Sequence, residues 1–244
     1  MSKPVVLKVN SATKRFGGLL AVNNLDFEVT EHEVLGLIGP NGSGKTTVMN
    51  LISGALKLSS GEIRLEEKIV SDLPAYKISQ LGISRTFQLV KILPTLSVID
   101  NVISGGVFGY HRMWGENAEE TALHLLKKVG LAALAFKPTE QLTYIDQKRL
   151  ELARALAGNP KLLLLDEWLA GLNPTELQIG IELIHSLRAE GRTIILVEHV
   201  MDAIRSLCDR CVVMSSGVKI ADGEVAETLK NPEVIRAYLG DSDA

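Results

Sequence analysis

The chain has 244 residues, with 26 Lys and Arg against 29 Asp and Glu for a net charge of −3, and it is 46% hydrophobic but only 5% aromatic. At roughly 100 to 200 residues per domain, this length makes one large domain or two small ones and buries a core without disulfides or metal. Nearly balanced charge, with the densest basic spots no more than single pairs such as Lys14-Arg15, argues against a nucleic-acid partner, and no apolar stretch approaches the roughly 20 residues that cross a bilayer.

In chain order, Met1-Ser2-Lys3-Pro4-Val5 lacks the basic and long apolar regions of a secretory signal, so the cytoplasm is the expected compartment. Residues 5–9 and 25–29, with Gly61-Glu62-Ile63-Arg64-Leu65, predict antiparallel strands joined by turns, a small β-layer. Val34-Leu35-Gly36-Leu37-Ile38, Leu162-Leu163-Leu164-Leu165 and Thr193-Ile194-Ile195-Leu196-Val197 are continuously apolar, as central strands covered on both faces are. Their alternation with helical patterns predicts an α/β fold with a mainly parallel core sheet.

Between 88 and 158 the texture turns helical. Ala122, Leu125, Leu126 and Val129 share one amphipathic face, and Leu150, Ala153, Leu156 and Ala157 share another. The block is expected to be a helical subdomain inserted in a single domain whose core and β-layer are residues 1–87 and 159–244. Cys208 and Cys211 have the C-x-x-C spacing, but zinc takes about four ligands and no second pair exists, so both are expected to be small core thiols.

Gly39-Pro40-Asn41-Gly42-Ser43-Gly44-Lys45-Thr46 follows a predicted strand and opens the helical pattern that continues through Thr47. In that context G-x-x-x-x-G-K-[ST] is a phosphate cradle: glycines let backbone N–H groups converge on the phosphates at a helix N-terminus. Lys45 is expected to reach the β- and γ-phosphates of ATP, and Thr46 to offer its hydroxyl to Mg²⁺. Asp166 ends the 162–165 strand at the ligand-binding edge of the sheet and is expected to hold the metal. Glu167 follows it as the candidate to polarise the attacking water.

With these motifs in this order, the chain resembles the ATP-binding subunits of ABC transporters along nearly its whole length. The resemblance implies a P-loop ABC cassette with an antiparallel β-layer and a helical subdomain. It implies that Gln88, in Arg85-Thr86-Phe87-Gln88, senses Mg²⁺ and contacts the membrane partner, and that His199 contacts the γ-phosphate. Phe16 is similar to the aromatic on which adenine stacks, with Val22 beside it. Leu142-Thr143-Tyr144-Ile145-Asp146-Gln147 falls at the family signature, so that Thr143, Tyr144, Ile145 and Asp146 would complete the nucleotide site of a second ATPase subunit, identical or related. Finer likeness, in Arg15-Phe16-Gly17-Gly18-Leu19, Ala170-Gly171-Leu172-Asn173-Pro174 and the ending 231–240, points to importers of branched-chain amino acids. Transmembrane permease subunits, an indirect extracytoplasmic solute-binding protein and a place on the cytoplasmic face of the membrane are implied with it.

Two residues depart from the family pattern. Ile145 stands where a glycine would give close backbone approach and free φ, and a β-branched side chain at positive φ is a strong outlier. Trp168 replaces the usual proline after the catalytic Glu, giving up the fixed φ and adding a large apolar body. The expectation is an ATP sandwich that binds MgATP but hydrolyses it poorly as a homodimer. The alternatives are a nucleotide-binding subunit with impaired hydrolysis and a soluble, non-transport ABC ATPase.

Overall fold

Short parallel strands, three of them buried at every position, organise the molecule. The computed structural model describes residues 3–112 and 114–239; Met1, Ser2 and Gly240, quoted above, lie outside them. The chain begins with two long antiparallel strands, β1 (Val5–Phe16) and β2 (Leu19–Thr30), followed by β3 (Val34–Ile38) and helix α1 (Lys45–Ile52). Next come β4 (Ser60–Leu65), β5 (Lys68–Ile69), α2 (Ala75–Leu81) and β6 (Ile83–Arg85). A strand-free stretch holds α3 (Val98–Phe108), α4 (Glu116–Lys128) and α5 (Tyr144–Ala157). The remainder alternates: β7 (Leu162–Asp166), α6 (Pro174–Ala189), β8 (Thr193–Val197), α7 (Met201–Leu207), β9 (Arg210–Ser215), β10 (Val218–Glu224), α8 (Val225–Thr228) and α9 (Pro232–Leu239).

Two sheets result. One is antiparallel, in the order β2-β1-β4-β5; the other runs β10-β9-β3-β8-β7-β6, parallel except for the edge strand β10. Leu35, Leu37, Leu162, Leu164, Ile195 and Val197 pack toward the antiparallel sheet and α1. Their sequence neighbours Val34, Ile38, Leu163, Leu165, Ile194 and Leu196 pack on the opposite face, with α5, α6 and α7. The period of two thus feeds two cores from the same uninterrupted apolar runs.

Caps define where the helices begin. Thr143 Oγ1 accepts from the Asp146 N–H at the start of α5, and Asn173 with Glu176 forms a capping box on α6. Gly36 in β3 makes room for both thiols, since a Cβ there would lie 3.1 Å from Cys208 Sγ and 3.4 Å from Cys211 Cβ. Both cysteines are free and buried, and burial pushes both pKa values up, which leaves the thiols protonated and inert. Among the described residues no helix is long and apolar enough to cross a membrane.

Candidate functional site

Parallel pairing aligns the carboxyl ends of β3, β6, β7 and β8 along one edge, the edge at which open α/β sheets bind ligands. From β3 the chain enters the 39–46 loop, whose conformation only glycine permits at two points. Gly39 has φ 145°, and a Cβ on it would meet the Met214 oxygen at 2.1 Å; Gly44 has φ 104°, and a Cβ on it would meet the Ala21 oxygen at 2.6 Å. Lys45 Nζ folds back onto the carbonyl oxygens of Gly39 at 2.8 Å and Pro40 at 2.9 Å. Burial lowers its pKa, opposed by the charges of Glu167 and Asp166.

The loop floors a cavity of about 800 Å³. Phe16, Asn41, Gly42, Gly44, Lys45, Thr46, Thr47, Gln88, Glu167 and His199 all line it, joined by Leu19, Leu20, Ala21, Ser216 and Gly217. Phe16 is exposed, with Lys14 Nζ over its ring at 5.1 Å. Gly39 and Ser43 are buried and do not line it. Val22 does not line the cavity beside Phe16: it is fully buried in the core and packs near Gly44.

Asp166 sits behind this wall, 1% exposed. Its Oδ2 accepts from Arg85 Nη2 at 2.6 Å, and Arg85 also donates to Asn50 Oδ1 at 2.6 Å and Ser53 Oγ at 3.1 Å on α1. Burial raises the Asp166 pKa, and the hydrogen bond and charge of Arg85 oppose the rise. The other oxygen, Oδ1, is buried with no protein partner, as is Ser43 Oγ. A buried carboxylate oxygen without a donor suits a metal ion or the water bound to one.

Glu167 is the meeting point of three strand ends. Its Oε2 accepts from Gln88 Nε2 at 2.7 Å, and its Oε1 lies 2.9 Å from His199 Nε2. A carboxylate only accepts, so Nε2 carries the proton in this contact. The residue has φ 49°, a left-handed angle rarely adopted outside glycine. Helix α5 holds both loops around it from behind. Lys148 Nζ donates to the oxygens of Trp168 and Ala170, and the buried Glu151 accepts from the N–H groups of Phe87 at 3.2 Å and Lys91 at 2.8 Å. Buried Glu198 accepts from the Leu169 N–H at 2.6 Å, and desolvation pushes its pKa up to about 7.

The residues that depart from the family pattern do not disturb this arrangement. Ile145 occupies the first turn of α5, outside the residues with positive φ, and its side chain is buried. The strain expected of a β-branched residue there is absent, because the capped helix starts one residue earlier and sets Ile145 in helical backbone. Trp168 turns into the core, away from the Glu167 carboxylate, with its indole N–H satisfied by the Lys148 oxygen at 3.1 Å. Thr143, Tyr144 and Asp146 are exposed or half-exposed at the same helix end and do not line the cavity of their own chain.

Sequence reading missed Arg85, Lys148, Glu151 and Glu198. Each is a charged residue embedded in a segment that reads as core or motif flank, and a signal existed only in the oddity of a charge inside an apolar helix or at a strand end. Leu19 to Ala21 and the Ser216-Gly217 turn were also unforeseen.

The family described as ABC transporter matches residues 22–170. The chain is 41% identical, over 99% of its length and all of the relative's, to the high-affinity branched-chain amino acid transport ATP-binding protein LivG of Salmonella typhimurium. The solved ATP-binding cassette MJ1267 of an ABC transporter, in its ADP conformation, superposes with a TM-score of 0.87 at 30% identity, covering 97% of this chain and 99% of that one. The cassette MJ0796, a dimer in a post-hydrolysis state bound to ADP and Pi, superposes at 0.81 with 28% identity, over 90% and 98% of the two chains.

Two outcomes follow from the burial of Ile145 and Glu198. Ile145→Gly removes a buried side chain from a helix and is expected to cost about 3 kcal/mol in urea unfolding, while lowering rather than raising the ATPase rate. Because the folded-state pKa of Glu198 lies above its ordinary 4.5, the unfolded chain loses its proton first. Stability from this group therefore falls as pH rises from about 4.5 to about 7. Glu198→Gln keeps an acceptor for Leu169 and removes that slope, so at pH 8 it should exceed the parent by about 3 kcal/mol, with little difference at pH 5.

Proposed function

The chain belongs to the ABC transporter family as an ATP-binding and ATP-hydrolysing subunit, and on that premise we propose that it powers an importer of branched-chain amino acids from the cytoplasmic face of the membrane. The observation that carries the ATP chemistry is the convergence of Gln88, Glu167 and His199 on one wall of the cavity whose floor is the Lys45 loop. The cargo assignment is supported by the full-length likeness to LivG.

In this reading adenine stacks on Phe16, and the phosphates lie along the N–H groups of residues 41–47. Lys45, loosely held by two loop carbonyls, turns to the β- and γ-phosphates, an exchange that costs little because a phosphate oxygen is the better acceptor. Thr46, Asp166 and Gln88 would hold Mg²⁺, and the unpartnered Oδ1 of Asp166 supports that fit. Bound Mg²⁺ supplies charge neutralisation on the phosphate oxygens. Glu167 accepts the proton of the attacking water; each of its oxygens keeps a free lone pair beyond those used by Gln88 and His199. His199 Nε2–H is placed to turn from Glu167 to the γ-phosphate.

Thr143, Tyr144 and Asp146 lie outside this cavity at the exposed start of α5, and with the backbone of Ile145 they complete the site of a second ATPase subunit, identical or related. Residues 88–158 act as the helical subdomain that meets the permeases, with 1–87 and 159–244 as the nucleotide-binding core. A groove of about 410 Å³ between the two supports this division: Phe87, Leu93 and Phe108 line it, and Phe108 is 70% exposed. An apolar groove beside Gln88 suits a permease segment whose motion is to be tied to the nucleotide.

The test is uptake. In cells lacking the chain, import of radiolabelled leucine, isoleucine and valine should fall and return when the chain is supplied. The Lys45→Ala form, which loses the phosphate contact, should leave uptake at the level of the deletion. Unchanged uptake of all three in the deletion strain contradicts the cargo assignment.

A further inference from the structure

Trp168 stands where the family pattern has proline, and the ATP chemistry above makes no use of it. Its indole is 1% exposed, and Nε1–H donates to the main-chain oxygen of Lys148 at 3.1 Å. The Lys148 side chain runs the other way, with Nζ donating to the main-chain oxygens of Trp168 at 2.9 Å and Ala170 at 2.8 Å. Lys148 is itself 1% exposed. An ammonium taken that far out of water needs acceptors, and here they come from the one loop that follows Glu167. Each residue's side chain therefore binds the other's backbone.

The surrounding structure is fitted to this exchange. A Cβ at Gly180, in the middle of α6, would stand 3.2 Å from Trp168 Cζ3 and 2.6 Å from Leu169 Cδ2. Glycine is unfavourable inside a helix, and its presence here gives the indole and its neighbour their space. Glu198 holds the Leu169 N–H at 2.6 Å, and Ala170 N–H returns to the Glu167 oxygen at 3.1 Å. Proline at 168 has no side-chain donor and could not make the return bond to α5.

We infer that Trp168 and Lys148 are positioning residues for the ATPase reaction, a reciprocal lock that makes helix α5 and the Glu167 loop one rigid body. The inference rests on the ATPase reading, in which residues 143–146 at the start of α5 address a second chain's nucleotide. The lock then gives that contact a mechanical consequence: a displacement of α5 on engaging the partner is carried to Glu167 in the chain's own site.

The test uses three substitutions in the full chain. Trp168→Phe keeps an aromatic body and loses only the N–H, Lys148→Met loses the ammonium, and Lys148→Arg keeps donors. The lock predicts that kcat falls about tenfold in Trp168→Phe and further in Lys148→Met, with KM for MgATP moving less than about twofold. Lys148→Arg should recover most of the loss, and the double variant Trp168→Phe/Lys148→Met should be no slower than Lys148→Met alone. An unchanged kcat in Trp168→Phe, or losses that simply add, overturns the lock.

A spectroscopic arm separates this from the ATPase reading. The chain has two tryptophans, so in a background carrying the exposed Trp114 as Trp114→Phe, emission reports Trp168 alone. Acrylamide should quench it poorly in that background and readily once Lys148→Met is added. If the parent chain hydrolyses no MgATP, the ATPase reading fails and the quenching comparison alone decides the lock; equal quenching in the two forms overturns it.

Discussion

A carboxylate proposed to take a proton from water has to be held at one place at the end of a strand, and Glu167, the residue proposed for that role, adopts φ 49°. For a residue with a Cβ this costs about 1 to 2 kcal/mol and persists only where the neighbours over-determine it. They do so on every side. Its N–H goes to the Val197 oxygen at 2.8 Å, its carbonyl receives the Ala170 N–H, and its carboxylate is shared by Gln88 and His199. The loop beyond it hangs from two buried titratable side chains, Lys148 and Glu198, that bond its backbone. The site is thus assembled around a strained turn that the fold clamps in place.

What permits such a clamp is the two-faced sheet. Five parallel strands, buried on both sides, bring Ile38, Arg85, Asp166 and Val197 to one edge, so residues distant in sequence fall within hydrogen-bond reach of each other. Helix α5 then couples the pieces. Its first turn presents residues 143–146, Lys148 grips the loop after Glu167, and Glu151 grips the backbone on both sides of Gln88. The buried Arg85–Asp166 pair joins the same edge to α1. Removing either member of such a pair strands a charge, which is why buried charges of this kind belong to the site's framework and not to its surface.

Much of this was legible in the sequence, for definite reasons. Continuous apolar runs of strand length over 34–38, 162–165 and 193–197 suit two-sided strands, and Gly39 and Gly44 in the G-x-x-x-x-G-K-[ST] motif suit a loop built from N–H groups; both adopt positive φ in the fold. Of the wall residues, Glu167 was read from its place after the strand-end Asp166, and Gln88 and His199 came from the resemblance to the ABC family. The supporting charges did not, because their partners are carbonyls and amides of distant loops, and no local pattern encodes a backbone acceptor across the core. The same blindness explains Ile145 and Trp168. As letters they look like defects in two motifs; in the fold one is an ordinary buried helix residue and the other is bonded to Lys148.

The proposed site places the water-activating groups Gln88, Glu167 and His199 together in one chain despite those two departures. Hydrolysis of MgATP by the parent chain and by Glu167→Gln, compared with ATP binding by each, tests it most directly. If Glu167 activates water, the parent hydrolyses MgATP and Glu167→Gln is slower by at least about 100-fold, with ATP affinity retained. A parent chain no faster than Glu167→Gln would contradict it.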